Sequence, residues 1–434
     1  MLSQLLRYLL KRLARAVIDK YQPQIIGITG SVGKTTTKEA VLLVLAKKYR
    51  VRGNIKNYNN EIGLPLTILG LESPGRSIGG WLKVLFLAWR LIQKTDPNYP
   101  EFLVLEMGID HPGDMDYLLS IVQPNIGIIT VIGQAHLEFF GNQDKIAQEK
   151  GKLIVSLPSA GWAVLNADDQ RVRLMTSCNN RVQIITYGFG SQADVRATDL
   201  QFNYGQAGDK TIQSSAGLRF KLNYQAAAVA VVLPGIISEA VVYSVLAAIA
   251  VGISQDIDLL TAIQALGDFH SPKGRLNILA GYQDMILLDD SYNASPTAVA
   301  AALDILGRWP ALSAQQRVAV LGDMLELGVD GPAEHRRIGQ IIAQLPIGRL
   351  VLVGPLAEMI GQEARQRGWT GQIDYFTDSI AAADKIREIV PAGAIVLLKG
   401  SQGSRIERIT KALLLDPAAA ANQLVRQDSR WLDS

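Results

Sequence analysis

The sequence predicts an α/β chain with two mostly parallel sheets in successive domains. Three observations carry this expectation. A glycine-rich loop, Gly27-Ile28-Thr29-Gly30-Ser31-Val32-Gly33-Lys34-Thr35-Thr36, lies between the strand-like Ile25-Ile26 and a helix-like run at 38–46. From about Ser271, short apolar strands at 285–288, 317–321, 350–353 and 394–398 alternate with helical stretches, the pattern of a parallel sheet covered on both faces. The 434 residues, 48% hydrophobic and 19% charged, suffice for two or three well-packed domains.

Taken in order, residues 1–23 read as a basic amphipathic leader helix. Leu2, Leu5, Leu6, Leu9, Leu13 and Val17 recur at helical spacing, and Arg7, Lys11 and Arg15 stand four apart. Charges interrupt every apolar run and no small-residue cleavage site follows, which excludes a signal peptide. The first twenty residues carry five cations against Asp19, a net +4 within a chain total of +3, so the remainder stands at −1. A near-neutral body argues against nucleic acid as partner. Residues 24–271 form the first large domain and 272–434 the second. Proline and glycine near 70–80 and 97–100 bracket an apolar insertion at about 71–100. Its segment 81–92 carries Lys83 and Arg90 and is too short to span a bilayer. The leader and this insertion each fit either a membrane surface or packing on the protein. Strands are expected at 102–106, 126–131 and 162–165, a β-rich stretch at 182–232, and an Ala-rich helix at 241–251. The lone Cys178 excludes an internal disulfide framework and fits a reducing compartment, and with four histidines it leaves no zinc-type cluster.

The chemistry concentrates at predicted strand ends, where open α/β sheets bind ligands. A glycine loop leading into a helix aims backbone N–H groups at phosphate. Gly30, Ser31, Gly33 and Thr36 would line that cradle, Lys34 would reach terminal phosphates, and the Thr35 hydroxyl would bind Mg²⁺. The general pattern places a glycine five residues before Gly33, where this chain has Ile28. Glu106 ends a strand beside this loop and suits Mg²⁺, which prefers hard oxygens. His136, past a third strand end, reads as a metal or substrate contact, or as a structural histidine. Arg275, at the junction of the domains, reads as a phosphate clamp or as a surface salt-bridge residue. Asp289-Asp290-Ser291-Tyr292-Asn293-Ala294-Ser295-Pro296 suits nucleoside binding by Asp290 and Asn293, and also reads as an ordinary loop. Lys150 lies in a charged, helix-like stretch that alone implies no role.

These residues together resemble the Mur ligase family. The resemblance rests on the Gly27 to Thr36 loop, Asn59-Asn60-Glu61-Ile62-Gly63-x-Pro65-Leu66-Thr67, and Glu106-Met107-Gly108-x-x-His111-Pro112-Gly113. It continues through His136-Leu137-Glu138, the Asp289 to Pro296 segment, Leu321-Gly322-Asp323-Met324-x-Glu326-Leu327-Gly328 with His335, and Lys399-Gly400-Ser401. It is collinear from about residue 24 nearly to the C-terminus. It implies a P-loop ATPase domain followed by a Rossmann-like domain, with ATP and Mg²⁺ as cofactors. The subgroup resembled adds D-alanyl-D-alanine to UDP-N-acetylmuramoyl tripeptide through an acyl phosphate, as a step of peptidoglycan synthesis.

The resemblance further implies site roles. Thr35 and Glu106 would hold one Mg²⁺ and His136 a second. Lys34, Lys150, His136 and Arg275 would form the catalytic set, with Lys150 as a carbamylated lysine. Asp290 and Asn293 would lie near the nucleoside, and Asn60, Lys399, Gly400 and Ser401 on the substrate side. Domain closure would assemble the site. Relatives carry an N-terminal UDP-sugar domain, which this chain is expected to lack. Val131, Lys152 and Gly235-Ile236-Ile237-Ser238 depart from the family pattern. Two other functions stay open: the same chemistry on another carboxylate acceptor, including a lipid-linked one, and a non-catalytic ATP-binding scaffold. A monomer in the cytoplasm is expected, with peripheral contact at the inner membrane face through residues 1–20.

Overall fold

The computed structural model of the chain describes residues 2–54, 58–133, 137–205, 212–311, 313–428 and 431. It divides into two units. The first holds residues 1–200, 220–231 and 239–269, and the second holds 201–219, 232–238 and 270–434.

The strands of the first sheet are β1 (Gln24–Thr29), β2 (Val51–Gly53), β3 (Phe102–Glu106), β4 (Ile126–Ile129), β5 (Trp162–Asn166), β6 (Gln183–Gly188), β7 (Val195–Asn203), β8 (Gly217–Tyr224) and β9 (Ala227–Pro234). Their order is β2-β3-β1-β4-β5-β6-β7-β8-β9. Neighbours from β2 through β7 pair in parallel. The central strands are buried throughout, which explains why β3 and β4 read as unbroken apolar runs rather than alternating ones. In the register Ile28 faces Glu106 and Thr29 faces Ile129. The chain leaving β1 at Gly30 is therefore flanked by Glu106 on one side and Thr130 on the other. β4 stops two residues short of the expected 131, where the Thr130 hydroxyl turns to donate to the Val32 carbonyl at 2.6 Å.

The first helix after the loop is Lys34–Leu45, so it begins inside the loop rather than at 38. The Ala-rich Glu239–Ser254 helix lies against it. A Cβ on Gly252 would approach Val44 Cγ1 to 2.8 Å, so the close crossing favours glycine there. Thr37 Oγ1 and Ser244 Oγ bridge the same pair at 3.0 Å.

The leader forms the helix Leu2–Tyr21, and the insertion forms the helix Ile78–Gln93. The two pack on each other. Leu10, Ala14 and Val17 share one buried cluster with Val84 and Ala88. Lys20 Nζ donates to the Leu91 and Ile92 carbonyls at 3.1 and 2.9 Å, satisfying last-turn oxygens of the second helix. Burying Leu10 and Val17 contributes roughly 1.5–3 kcal/mol each. The expected leader stripe is shifted: Leu5 is exposed, while Leu10 and Ala14 line the core.

The second sheet contains β10 (Asn277–Ala280), β11 (Ile286–Asp290), β12 (Arg317–Gly322), β13 (Arg349–Val353), β14 (Gln372–Phe376) and β15 (Ile395–Lys399), in the order β10-β11-β15-β12-β13-β14. All pairings are parallel except β10 with β11. The two edge strands β10 and β14 lie outside the expected set. β14 shows no unbroken apolar run, because at the half-exposed edge Gln372 and Asp374 alternate with Ile373 and Tyr375. The 201–219 and 232–238 segments differ from a boundary at 271–272 by falling with this unit. Ile212, Ala216 and Ile237 join its core beside Leu276 and Ile278.

Candidate active site

The first centre sits at the carboxyl ends of β1, β3 and β4. Gly30 has φ +148°, and a Cβ there would overlap Thr130 Oγ1. Gly33 has φ +86° and caps the Lys34–Leu45 helix without any side-chain oxygen. Both positions require glycine, and the helix N-terminus opens straight into the loop, as anion binding needs. Ser31 is held by Ser31 N donating to Val131 O at 2.7 Å, and its Oγ accepts from Gly133 N at 2.8 Å. Thr36 is buried in the helix's first turn.

Two lysines converge on one oxygen. Lys34 Nζ and Lys150 Nζ donate to the Gly30 carbonyl at 2.8 and 3.1 Å. Lys150 is 2% exposed. Burial, and then the neighbouring Lys34 charge, push its ammonium down to about 7, with Asp110 and Glu149 pulling the other way. Two lysine nitrogens crowded at one carbonyl, with one ammonium disfavoured by the other's charge, form a place where an anion lowers the energy, which fits a phosphate ligand.

Thr35 Oγ1 donates to Glu106 Oε2 at 2.9 Å. Asn59 Nδ2 reaches Glu106 Oε1 at 3.5 Å, and the Glu106 backbone N–H donates to Asn54 Oδ1 at 2.5 Å. A hydroxyl and a nearly buried carboxylate side by side are hard oxygen donors suited to Mg²⁺. Among the described residues no three His, Cys, Asp or Glu side chains gather as a metal cluster. His136 lies outside the described residues.

Sequence reasoning missed three supports of this centre. Asn54 and Asn59 hold Glu106; Asn60, expected on the substrate side, has its Oδ1 accepting from Ile62 N and Gly63 N at 3.3 and 3.0 Å, at the start of the Gly63–Leu69 helix. Glu149 Oε1 accepts from Gly113 N and Met115 N at 3.0 Å each, and its Oε2 pairs with Lys152 at 2.7 Å. Asn59 stood inside a quoted motif, whereas Glu149 had no local signal.

The second centre lies at the carboxyl ends of β11, β15 and β12. Register places Lys399 between Asp290 and Leu321. Buried Lys399 pairs with Asp290 Oδ2 at 2.6 Å and donates to Asn293 O at 2.9 Å. Its charge is thus spent on shaping the 290–293 turn. Asn293 is exposed, with Oδ1 accepting from Ala294 N at 2.9 Å. Arg275 is half-buried and lies over the Tyr292 ring at 4.3 Å, a cation–π contact rather than a salt bridge. Ser401 Oγ accepts from Leu325 N at 2.8 Å, and Gly400 meets Gly322 Cα at 3.2 Å from its would-be Cβ. Buried His335 accepts at Nε2 from Met324 N at 3.0 Å and bonds Gly331 O through Nδ1 at 2.7 Å, so both ring nitrogens are structural. Asp289 is fully buried, accepts from Thr410 Oγ1 at 3.0 Å, and is pushed up to about 7 by burial.

Comparison with known proteins matches the Mur ligase middle domain at residues 28–78 and 88–252, and the Mur ligase glutamate ligase domain at 274–402. The unmatched 79–87 falls inside the expected insertion. The UDP-N-acetylmuramoyl-tripeptide–D-alanyl-D-alanine ligase of Bacillus subtilis is 29% identical over 94% of this chain and 79% of its own length. Its Mycobacterium tuberculosis counterpart is 31% identical over 90% and 73%. Among solved structures, MurF ligase from Thermotoga maritima in complex with ADP aligns with TM-score 0.73 at 26% identity, over 94% of this chain and 83% of that one. MurF from Acinetobacter baumannii aligns with TM-score 0.76 at 27% identity, over 93% and 79%.

Proposed function

The chain belongs to the Mur ligase family, and from that premise we propose that it is an ATP-dependent carbon–nitrogen ligase of peptidoglycan precursor synthesis, joining D-alanyl-D-alanine to UDP-N-acetylmuramoyl tripeptide. The observation that carries this reading is the convergence of Lys34 and Lys150 on the Gly30 carbonyl beside the Thr35–Glu106 pair.

A carboxylate acylates an amine only after one oxygen becomes a leaving group. The tripeptide's terminal carboxylate oxygen bonds the γ-phosphorus as the bond to ADP breaks, giving an acyl phosphate. The dipeptide amine then attacks the carbonyl carbon, loses a proton, and phosphate departs with the carbon–oxygen bond. Two anions must approach, so positive charge has to offset their repulsion. Lys34 and the loop N–H groups bind and orient the phosphates. Thr35 and Glu106 would hold Mg²⁺, which would screen the phosphate charge. His136 is assigned to a second metal position.

Lys150, with its ammonium lowered toward 7, is neutral often enough at physiological pH to add CO₂, and as a carbamate it reverses its charge. Arg275 is assigned to the phosphates, Asp290 and Asn293 to the nucleoside, and Asn60, Lys399, Gly400 and Ser401 to the substrate side. For Lys399 the ion pair with Asp290 makes that role one of positioning.

No helix among the described residues is long and apolar enough to cross a membrane. We place the enzyme in the cytoplasm as a monomer. A second reading keeps the chemistry with a lipid-linked carboxylate acceptor, favoured by the exposed apolar residues of the Ile78–Gln93 helix. Phosphate release with UDP-N-acetylmuramoyl tripeptide, ATP, Mg²⁺ and D-alanyl-D-alanine tests the first reading. Release only with a lipid-linked acceptor supports the second, and nucleotide binding without turnover on any acceptor supports a scaffold.

A further inference from the structure

The Ile78–Gln93 helix shows two different faces. Val84 and Ala88 are buried in the cluster that contains Leu10, Ala14 and Val17. Ile78, Leu82, Phe86 and Trp89 are 73%, 64%, 57% and 53% exposed. At 100° per residue these four fall within a stripe about 80° wide, whereas scattered single apolar residues are the norm on a protein surface. Phe86 and Trp89 lie with ring centroids 6.1 Å apart, a paired aromatic feature within the stripe.

Charge follows the same helix. Arg76, Lys83, Arg90 and Lys94 are all exposed, and residues 73–95 contain no Asp or Glu. Lys83 and Arg90 stand seven apart, nearly two turns, so they form a basic edge along one side of the apolar stripe. Their long side chains can hold charge at a headgroup layer while the stripe enters the acyl boundary. The helix is 16 residues long, about 24 Å, so it lies in the interface rather than spanning a core about 30 Å thick.

We propose that this outward face of the Ile78–Gln93 helix is a docking surface for an anionic phospholipid bilayer. The sequence pointed to residues 1–20 as the contact. The structure instead spends Leu10, Ala14 and Val17 on the core, and the leader helix serves as the packed base that carries the exposed helix. Adsorption combines apolar insertion with attraction to negative headgroups, each Lys or Arg contributing about 1 kcal/mol, roughly fivefold in partitioning. The surface binds lipid whatever the acceptor of the ligase reaction, so its test stands apart from the test of that reaction.

The experiment is co-sedimentation of the full chain with phosphatidylcholine vesicles, with and without phosphatidylglycerol, at low and high salt. The expected result is binding to the anionic vesicles only, weakened at high salt, with a blue shift of tryptophan emission. Phe86→Ser/Trp89→Ser abolishes binding, and Lys83→Glu/Arg90→Glu weakens it by about 25-fold or more, since two attractions are lost and become repulsions. Unchanged thermal melting of both variants shows that they fold. Wild-type protein that stays in the supernatant with anionic vesicles overturns the proposal. So do both variants binding as wild type does. A concentration-dependent dimer lost on Phe86→Ser/Trp89→Ser, without vesicle binding, assigns the face to a second copy and also overturns it.

Discussion

Replacing Lys150 by methionine removes a buried titratable amine while keeping an unbranched side chain only one atom shorter. In the folded protein the ammonium is lowered from the usual 10.5 to about 7, chiefly by burial and then by Lys34. The unfolded chain holds its proton up to the ordinary value, so between pH 7 and 10.5 it binds more protons than the folded chain does. Stability therefore rises with pH across that window, by at most about 1.4 kcal/mol per pH unit and on the order of 5 kcal/mol in all. Lys150→Met lacks this contribution. Its stability relative to wild type is greatest at pH 7 and below and shrinks toward pH 10.5. Over the two units from pH 7.5 to 9.5 the difference changes by up to about 2.7 kcal/mol, roughly 5 °C in melting temperature for a unit of this size. The assay is thermal melting of both proteins across that range in CO₂-free buffer, since carbamylation would replace the cation by an anion. Subtracting the two curves cancels every group they share. A difference flat to about 1 °C refutes the reasoning, because Lys150 would then carry its charge at no cost.

Other positions give sharper functional readouts. Thr35→Val loses the hydroxyl that donates to Glu106, so phosphate release should fall on the order of a hundredfold and need more Mg²⁺, with melting changed little; an unchanged Mg²⁺ titration contradicts the metal role. Gly30→Ala puts a Cβ onto Thr130 Oγ1 in left-handed backbone, and should abolish nucleotide binding measured by calorimetry while destabilising by roughly 1–3 kcal/mol. Asp290→Asn leaves the buried Lys399 ammonium without its carboxylate, and urea unfolding should show a loss of about 3–5 kcal/mol; the Asp290→Leu/Lys399→Met double variant should recover most of it.

Much of this arrangement was legible because it is local. The loop from Gly27 to Thr36 announces strand, turn and helix within ten residues, and Glu106 ends an apolar run that only a buried strand explains. The alternation after 271 located four of the five parallel strands of the second sheet. Edge strands were lost because half-exposed backbone carries no unbroken apolar run: in β14, Gln372 and Asp374 alternate with Ile373 and Tyr375. The long-range partners were illegible for a different reason. Glu149 acts through the backbone of Gly113 and Met115, and Lys150 through the carbonyl of Gly30, and neither spacing exists until the sheet forms. Lys399 shows the reverse case, a visible motif lysine whose charge the fold commits to Asp290. The leader and insertion helices each looked amphipathic alone, and only their mutual packing separates the buried faces from the exposed ones.

The central claim is that the Lys34, Lys150, Thr35 and Glu106 cluster drives amide-bond formation from ATP. The most direct test is phosphate release by the purified chain with ATP, Mg²⁺ and UDP-N-acetylmuramoyl tripeptide, with and without D-alanyl-D-alanine, and with the product weighed by mass spectrometry. The account predicts stoichiometric phosphate and a product heavier by the added dipeptide less water, only when both substrates are present, and none from Lys34→Ala. Phosphate released equally without the dipeptide, or a Lys34→Ala protein that turns over like wild type, would contradict it.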